Sequence, residues 1–195
     1  MLTPKTTDLL QGVNLVLVGM MGSGKTTAGR RLAQVLRYRF CDTDALIEKI
    51  SGQSVPDLFA QQGEAAFRDL ETQVLAEVAG YTRTVVATGG GAVLRPENWS
   101  HLHHGLVAWL DVPPAVLSQR LGGDRGRPLL QGSGPNLETR LTEILDARRP
   151  YYAQADVHIR MDTAPMSQVV EHILAAIADH LAKHPPRGRR TSSPH

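Results

Sequence analysis

The sequence predicts an α/β protein in which helices cover both faces of a five-stranded parallel sheet, a doubly wound fold. Two observations support this prediction. Short apolar runs typical of buried strands alternate along the chain with segments whose apolar residues follow helical spacing. The chain has 195 residues, of which 42% are apolar, and this is enough for one such domain. Strands that alternate with helices favour a parallel sheet, because each crossover helix packs back onto the sheet.

Most of the predicted strands are rich in Val, Leu and Ile. The first, with the sequence VNLVLV, is rich in β-branched residues and is followed directly by glycines. In chain order the predicted strands are 13–18, 39–41, 84–87, 105–110 and 156–159.

The predicted helices lie between these strands. In the first helix, Leu32, Val35 and Leu36 share one face. Ser54 is a good N-cap for a further helix, because Asp57 three residues later can close a capping box. The first helix spans 26–36, and the other predicted helices are 43–50, 64–79, 114–121, 136–153 and 166–182.

Charge divides the chain into a body and a tail. The net charge is +2, but residues 183–195 hold four basic residues and no acid, which leaves 17 basic and 19 acidic residues in the body. We therefore expect one domain over residues 1–183, without the basic footprint of a nucleic-acid-binding protein, and a disordered basic tail over 184–195.

Several classes of protein are excluded. The single cysteine, Cys41, rules out an internal disulfide and is expected to be a small buried side chain. No apolar run reaches the roughly 18 residues of a membrane helix, and residues 1–11 lack the apolar core of a secretory signal. We expect a cytoplasmic monomer with no membrane or nucleic-acid partner.

The strongest motif is a phosphate-binding loop. The segment Gly19-Met-Met-Gly-Ser-Gly24-Lys25-Thr26 matches G-x-x-x-x-G-K-[ST] in full, after a predicted strand and at the start of a predicted helix. Glycines let backbone N–H groups point at phosphate oxygens, the lysine reaches the β- and γ-phosphates, and the threonine hydroxyl ligates Mg²⁺. The predicted ATP-binding residues here are Gly22, Ser23, Gly24, Lys25, Thr26 and Thr27.

Two carboxylates follow the second predicted strand, as Asp42-Thr-Asp44. At the carboxyl end of a parallel strand both can face the ligand crevice, one toward Mg²⁺ and the other toward a substrate hydroxyl whose proton it takes. A pair of N-capping residues for the next helix is an equally good interpretation, and the sequence leaves both open.

Further motifs resemble those of the shikimate kinase family over residues 12–182. They follow the loop and the aspartates in a fixed order: Phe67-Arg68, Ala87-Thr-Gly-Gly-Gly91, Arg127-Pro-Leu-Leu130 and Arg148-Arg-Pro-Tyr-Tyr152. The resemblance implies a P-loop fold like that of nucleoside monophosphate kinases, with a substrate-binding segment near 43–70 and a mobile lid near 122–134. It implies phosphoryl transfer from ATP to the 3-hydroxyl of shikimate, with Mg²⁺ as cofactor.

The resemblance also implies a role for each matching residue. Arg68 and Arg148 resemble the clamp for the shikimate carboxylate, Asp44 the residue that binds the ring hydroxyls and acts as base, and Gly90 and Gly91 the backbone that approaches the substrate. On the ATP side, Lys25 and the lid residue Arg127 resemble catalytic cations. Arg120 resembles the arginine beside the adenine, and Asp42 resembles the carboxylate that helps organise Mg²⁺ with Thr26. The full set of predicted catalytic residues is Lys25, Asp44 and Arg127.

Two departures and three rivals complete the sequence interpretation. Relatives in the family place an arginine near the adenine in the loop that corresponds to 162–166, and this chain has none there. In addition, no carboxylate follows the third strand, which makes Asp42 the magnesium organiser. The rivals are another small P-loop kinase such as a gluconate kinase, a catalytically silent nucleotide-binding regulator, and a nucleic-acid-binding module that uses the basic tail. The histidines at 101, 103 and 104 match no metal-binding motif, and no metal ligand is assigned to them.

Overall fold

The structure is a computed structural model that describes residues 9–122, 137–161 and 166–184. Its five strands form one parallel sheet in the order β2-β3-β1-β4-β5, which confirms the predicted fold class. The strands are β1 (Leu15–Val18), β2 (Arg39–Asp42), β3 (Thr84–Ala87), β4 (Leu106–Asp111) and β5 (Val157–Arg160).

Strand β1 lies at the centre of the sheet, next to β3, and every residue of both strands is buried. Strands covered by helices on both faces need apolar side chains throughout, which explains the unbroken LVLV sequence of β1. The strand begins at Leu15, two residues later than predicted, and Val13 is 40% exposed outside it.

Seven α-helices are described. They are α1 (Lys25–Leu36), α2 (Thr43–Ser51), α3 (Val55–Ala79), α4 (Pro96–Leu102), α5 (Pro114–Leu121), α6 (Leu137–Tyr152) and α7 (Met166–Lys183). Six of them agree with the sequence predictions to within a few residues.

Helix α3 combines the two helices that were predicted after Ser54. The Ser54 hydroxyl oxygen accepts a hydrogen bond from the Asp57 N–H, which confirms the predicted cap. Gly63 interrupts the helix with non-helical angles, φ 82° and ψ 170°. Glycine tolerates this conformation and other residues do not, so the break lies where the sequence permits it.

The segment between β3 and β4 was not predicted. It forms a 3₁₀ turn at Ala92–Leu94 and the short helix α4. Two buried side chains tie the helix to the turn: Asn98 Nδ2 donates to the Ala92 oxygen at 2.8 Å, and Trp99 Nε1 donates to the Val93 oxygen at 3.0 Å. Seven residues give too few repeats of the helical pattern for recognition from sequence.

Three smaller predictions can be compared with the structure. Trp99 and Trp109 are buried and serve packing, as expected. Cys41 was expected to be buried but is only half-buried. Burial together with the Asp42 and Glu77 carboxylates raises the pKa of its thiol. Within the described ranges, none of the helices has the length and apolarity to cross a bilayer.

Candidate active site

The phosphate loop connects β1 to α1, as the sequence predicted. Gly19, Gly22 and Gly24 have φ angles of 143°, 74° and 89°, which favour glycine. A Cβ atom at Gly19 would lie 2.6 Å from the backbone oxygen of Leu110. A larger residue there would displace the loop from β4.

Lys25 is buried inside this loop. Its Nζ donates to the carbonyl oxygens of Gly19 and Met20, both at 2.8 Å, and to Ser23 Oγ at 3.3 Å. The loop therefore holds an ammonium group beside the N-terminus of α1, where partial positive charge already favours an anion.

Asp42 caps the next helix and also faces the phosphate loop. Its Oδ1 accepts from the N–H groups of Asp44 and Ala45 at 3.1 and 3.3 Å and so caps α2. Its Oδ2 accepts from Thr26 Oγ1 at 2.7 Å and so faces the phosphate loop. One carboxylate thus joins the end of β2 to the start of α1.

The Thr26–Asp42 pair suits a magnesium ion. A hydroxyl and a carboxylate are the hard oxygen ligands that Mg²⁺ prefers, and nucleotide-bound Mg²⁺ takes its other ligands from phosphates and water. Among the described residues, no group of three or more His, Cys, Asp or Glu side chains could hold a metal. The histidines at 101, 103 and 104 form no such group.

A cleft of about 470 Å³ opens beside the loop. It brings together most of the residues predicted for ATP: Gly22, Gly24, Lys25, Thr26, Thr27 and Arg120. Asp42 and Asp44 also line it. Arg120 is exposed, and its Nη1 donates to the Gly22 oxygen at 3.2 Å. This contact places Arg120 at the rim of the cleft.

A second pocket of about 100 Å³ adjoins the first and shares Met21, Asp44 and Gly90 with it. Its polar wall carries the guanidinium groups of Arg68 and Arg148. Its apolar wall is formed by Val55, Phe59 and Phe67. The pocket suits a small molecule with one anionic edge and one apolar face, and Asp44 lies between that molecule and the nucleotide cleft.

Arg68 is held by two carboxylates of its own helix. Its Nη1 lies 2.7 Å from Glu71 Oε2, and its Nη2 lies 3.2 Å from Glu64 Oε1. A solvated surface arginine would be the commoner outcome for this residue type, but here the residue is 7% exposed. The two pairs fix the direction in which the guanidinium faces the pocket.

Glu71 was not identified from the sequence. It is fully buried, and its Oε1 has no hydrogen-bond partner among the described residues. Burial raises the pKa of this carboxyl, and the adjacent Arg68 guanidinium acts in the opposite direction. Its spacing three residues after Arg68 was the only available indication, and the same spacing is common on solvated helix faces.

The glycine run after β3 leaves space for these side chains. A Cβ atom at Gly89 would lie 2.7 Å from both Asp44 Oδ1 and Glu71 Oε1, and one at Gly91 would collide with the Arg68 guanidinium. The glycines are therefore needed for packing as well as for the turn, because carboxylate and guanidinium groups lie against their backbone where a side chain would otherwise be.

Arg148 approaches the pocket from α6. Its Nη1 donates to the Gly90 oxygen at 3.1 Å, and the Tyr152 hydroxyl donates to the same oxygen at 2.6 Å. Tyr152 is fully buried, its ring stacks on Trp109 at 5.6 Å, and burial raises its pKa. Tyr152, one turn after Arg148, is a second residue whose contribution was not recognised from sequence.

The structure thus brings together the predicted residues of the phosphate loop, α1, the end of β2, α2, α3, the glycine run, α5 and α6. Arg127, most of the predicted lid at 122–134 and most of the 162–166 loop lie outside the described residues.

Comparisons with known proteins agree on one family. The family model described as shikimate kinase matches residues 21–178. A shikimate kinase from a Synechococcus species is 52% identical over 191 residues, which cover 97% of this chain and 100% of that protein. The solved structure of shikimate kinase from Acinetobacter baumannii in complex with shikimate has a TM-score of 0.84 at 36% identity, covering 93% of this chain and 99% of that one.

A solved kinase for the rival acceptor, gluconate, is less similar to this chain than the shikimate kinase structure is. A gluconokinase from Sinorhizobium meliloti has a TM-score of 0.50 at 18% identity, covering 90% of this chain and 98% of that one. At this identity the likeness reflects a common fold and carries no information about the acceptor.

Proposed function

The chain belongs to the shikimate kinase family, and from this premise we propose that it transfers the γ-phosphoryl group of ATP to the 3-hydroxyl of shikimate. The products are 3-phosphoshikimate and ADP. The observation that best supports this proposal is the pair of adjoining pockets, one at a phosphate loop and one with two guanidinium groups, with Asp44 lining both.

In the nucleotide cleft, Lys25 and the N–H groups of the loop neutralise the phosphates. The Lys25 ammonium now donates to backbone oxygens of the loop itself, so ATP would replace those acceptors with phosphate oxygens. Arg120 covers the open rim beside Gly22. Arg127 is assigned to the lid by its motif alone, as a second cation for the transferring group.

Thr26 and Asp42 would hold Mg²⁺, directly or through water. When bound, the ion supplies positive charge against the β- and γ-phosphate oxygens and orients them. The hydrogen bond that already joins the two side chains holds both oxygens at the loop.

In the acceptor pocket, Arg68 and Arg148 bind the shikimate carboxylate. A planar guanidinium pairs with a carboxylate through two parallel hydrogen bonds, which fixes the orientation of the ring as well as its affinity. The backbone of Gly90 and Gly91 approaches the ring, and Phe59 packs against its apolar face.

Asp44 positions the reacting hydroxyl and accepts its proton. As the 3-oxygen bonds to the γ-phosphorus, the bond from that phosphorus to the bridging oxygen of ADP breaks. Most of the rate enhancement then comes from alignment of the hydroxyl with the γ-phosphorus and from neutralisation of the phosphate charge. Transfer of the hydroxyl proton to the Asp44 carboxylate completes the phosphoryl transfer.

The test is ADP release by the purified protein with ATP, Mg²⁺ and either shikimate or gluconate. We expect release that requires shikimate, a product phosphorylated at the 3-oxygen by ³¹P NMR, and loss of release in EDTA that excess Mg²⁺ restores. Release with gluconate alone would overturn the acceptor assignment. Nucleotide binding without release with either acceptor would favour the silent regulator.

A further inference from the structure

Five exposed arginines lie together at one corner of the sheet. We call them the arginine corner: Arg30, Arg31, Arg37, Arg39 and Arg83. The first two lie on the outer side of α1, Arg37 ends that helix, Arg39 begins the edge strand β2, and Arg83 directly precedes β3. The Arg39 N–H donates to the Arg83 oxygen at 2.8 Å, which joins the two chain segments.

Aromatic rings support three of these guanidinium groups. Arg30 lies 4.7 Å from the Phe40 ring centroid, Arg39 lies 5.4 Å from that of Tyr81, and Arg83 lies 5.4 Å from that of Tyr38. Stacking of this kind holds a guanidinium in place without neutralising it.

The carboxylate of Glu77 reaches the corner, where its Oε1 accepts from the hydroxyl of Tyr81, the ring beneath Arg39, at 3.2 Å. Within residues 9–122, 137–161 and 166–184, none of the five arginines has a carboxylate oxygen within 4.0 Å, whereas arginines elsewhere, such as Arg140 and Arg149, do. The sequence explains part of the difference, because four of the five arginines lie within residues 9–41, which contain no Asp or Glu.

The rest of the body has the opposite charge. When the four basic residues of 183–195 and these five arginines are set aside, 12 of the 21 basic side chains remain against all 19 acidic ones. The corner is therefore a local positive surface on an acidic body, and it lies toward the amino ends of β2 and β3, whereas the active site lies at the carboxyl end of the sheet.

We propose that the arginine corner is a docking surface for an acidic segment of a partner protein. Arginine is enriched in protein interfaces, and guanidinium groups oriented in advance on rings pair readily with carboxylates. A nucleic acid fits less well, because a duplex that extended beyond the corner would meet the acidic body, and the rings under the arginines are not open to stack on bases. The partner binds away from the active site and leaves it accessible.

The experiment measures fluorescence anisotropy of a fluorescein-labelled, glutamate-rich peptide with the full chain. The test variant is Arg37→Gln/Arg83→Gln and the control is Arg140→Gln/Arg149→Gln, which removes the same charge from exposed arginines that already have carboxylate partners. Both Arg37 and Arg83 have positive φ angles, which glutamine tolerates about as well as arginine. Kinase activity should be unchanged in both variants, so a loss of peptide binding can be told apart from a failure of the proposed kinase function.

We expect the wild type and the control to bind the peptide and the test variant to bind about tenfold more weakly, a difference that shrinks as salt rises to about 0.15 M. A lysine-rich peptide and a short DNA duplex serve as competing ligands. Equal affinity of all three proteins for the acidic peptide, or tighter binding of the duplex than of the peptide, would overturn the proposal. In the first case the arginines would serve only to protect the edge strand β2 from pairing with other strands.

Discussion

At the scale of single residues, the two arginines of the acceptor pocket are in different environments. Arg68 already has Glu71 and Glu64 as partners, whereas Arg148 contacts a backbone oxygen and, among the described residues, no carboxylate within 4.0 Å. The substrate carboxylate therefore meets one arginine that is restrained by acids and another whose charge is uncompensated. The second should contribute more to substrate affinity.

Arg148→Lys should raise the KM for shikimate about tenfold or more, with a much smaller change in the KM for ATP. Lysine keeps the charge but loses the planar fork, and hydrogen bonds to charged groups contribute about 1.5–3 kcal/mol each. The matched control is Arg149→Lys, because the adjacent residue is exposed and faces Asp111 on β4. Steady-state kinetics with each substrate varied in turn checks this, and equal effects on both KM values would contradict the clamp.

Glu71→Gln should change how stability depends on pH. Burial raises the pKa of the Glu71 carboxyl above its usual 4.5, so the folded protein holds this proton more tightly than the unfolded chain does. The contribution of Glu71 to stability is therefore greatest at low pH and falls as the pH rises from about 4.5 through the folded pKa. The fall amounts to about 1.4 kcal/mol for each pH unit that separates the folded pKa from the unfolded one.

Glutamine does not ionise, so the variant lacks this fall. The difference in free energy of unfolding, variant minus wild type, should grow with pH over that window and then level off, as measured by urea denaturation at a series of pH values. A difference that declines with rising pH would mean that Arg68 outweighs burial and lowers the pKa.

At the scale of elements, the turn after β3 determines whether the acceptor pocket can form. Gly91 has a φ of −102°, which any residue can adopt, so its requirement for glycine comes from the nearby Arg68 guanidinium and not from the backbone. Gly91→Ala should displace that guanidinium and raise the KM for shikimate by about tenfold, equivalent to about 1.4 kcal/mol.

Gly80→Ala is a suitable control, because its φ is −75° and its nearest contact would be an ordinary 3.4 Å to the Glu77 oxygen. The same kinetic measurement, with a thermal melt to confirm folding, checks both variants. An unchanged KM for shikimate in Gly91→Ala would show that Arg68 can move aside without loss.

The elements also show which parts of the fold could be predicted from sequence. Strands and helices with several repeats of their apolar pattern were located to within a few residues, because this information is local. The 3₁₀ turn and α4 were missed because they are short and are held by the Asn98 and Trp99 hydrogen bonds to backbone oxygens. Such contacts form only after the chain has folded.

At the scale of the whole molecule, the active site was predicted from ordered motifs and not from contacts. Motif order placed Asp44, Arg68 and Arg148 at one site, and the structure joins them in one pocket. The structural importance of Glu71 and Tyr152 could not be predicted in this way, since it depends on burial beside residues distant in sequence. A buried glutamate and a solvated one look alike in a single sequence.

The last prediction concerns the basic tail. His184 belongs with α7, because its N–H donates to the His180 oxygen at 2.9 Å and its ring stacks on that of His180 at 4.7 Å. A truncation should therefore begin at residue 185, one residue later than the tail boundary expected from composition. All described residues of the two pockets lie before this point.

Deletion of residues 185–195 should leave kcat, both KM values and the melting temperature unchanged, as measured by coupled ADP release and calorimetry. A longer deletion from Met166 is the contrasting control, because α7 packs on α1 and β5 and buries five apolar side chains: Val169, Val170, Ile173, Leu174 and Ile177. At about 1.5–3 kcal/mol each, their loss approaches the whole stability of a domain, about 5–15 kcal/mol, and this protein should not fold. A marked rise in the KM for ATP after the short deletion would instead make the tail part of the nucleotide site, since its arginines are the added cations that phosphates would attract.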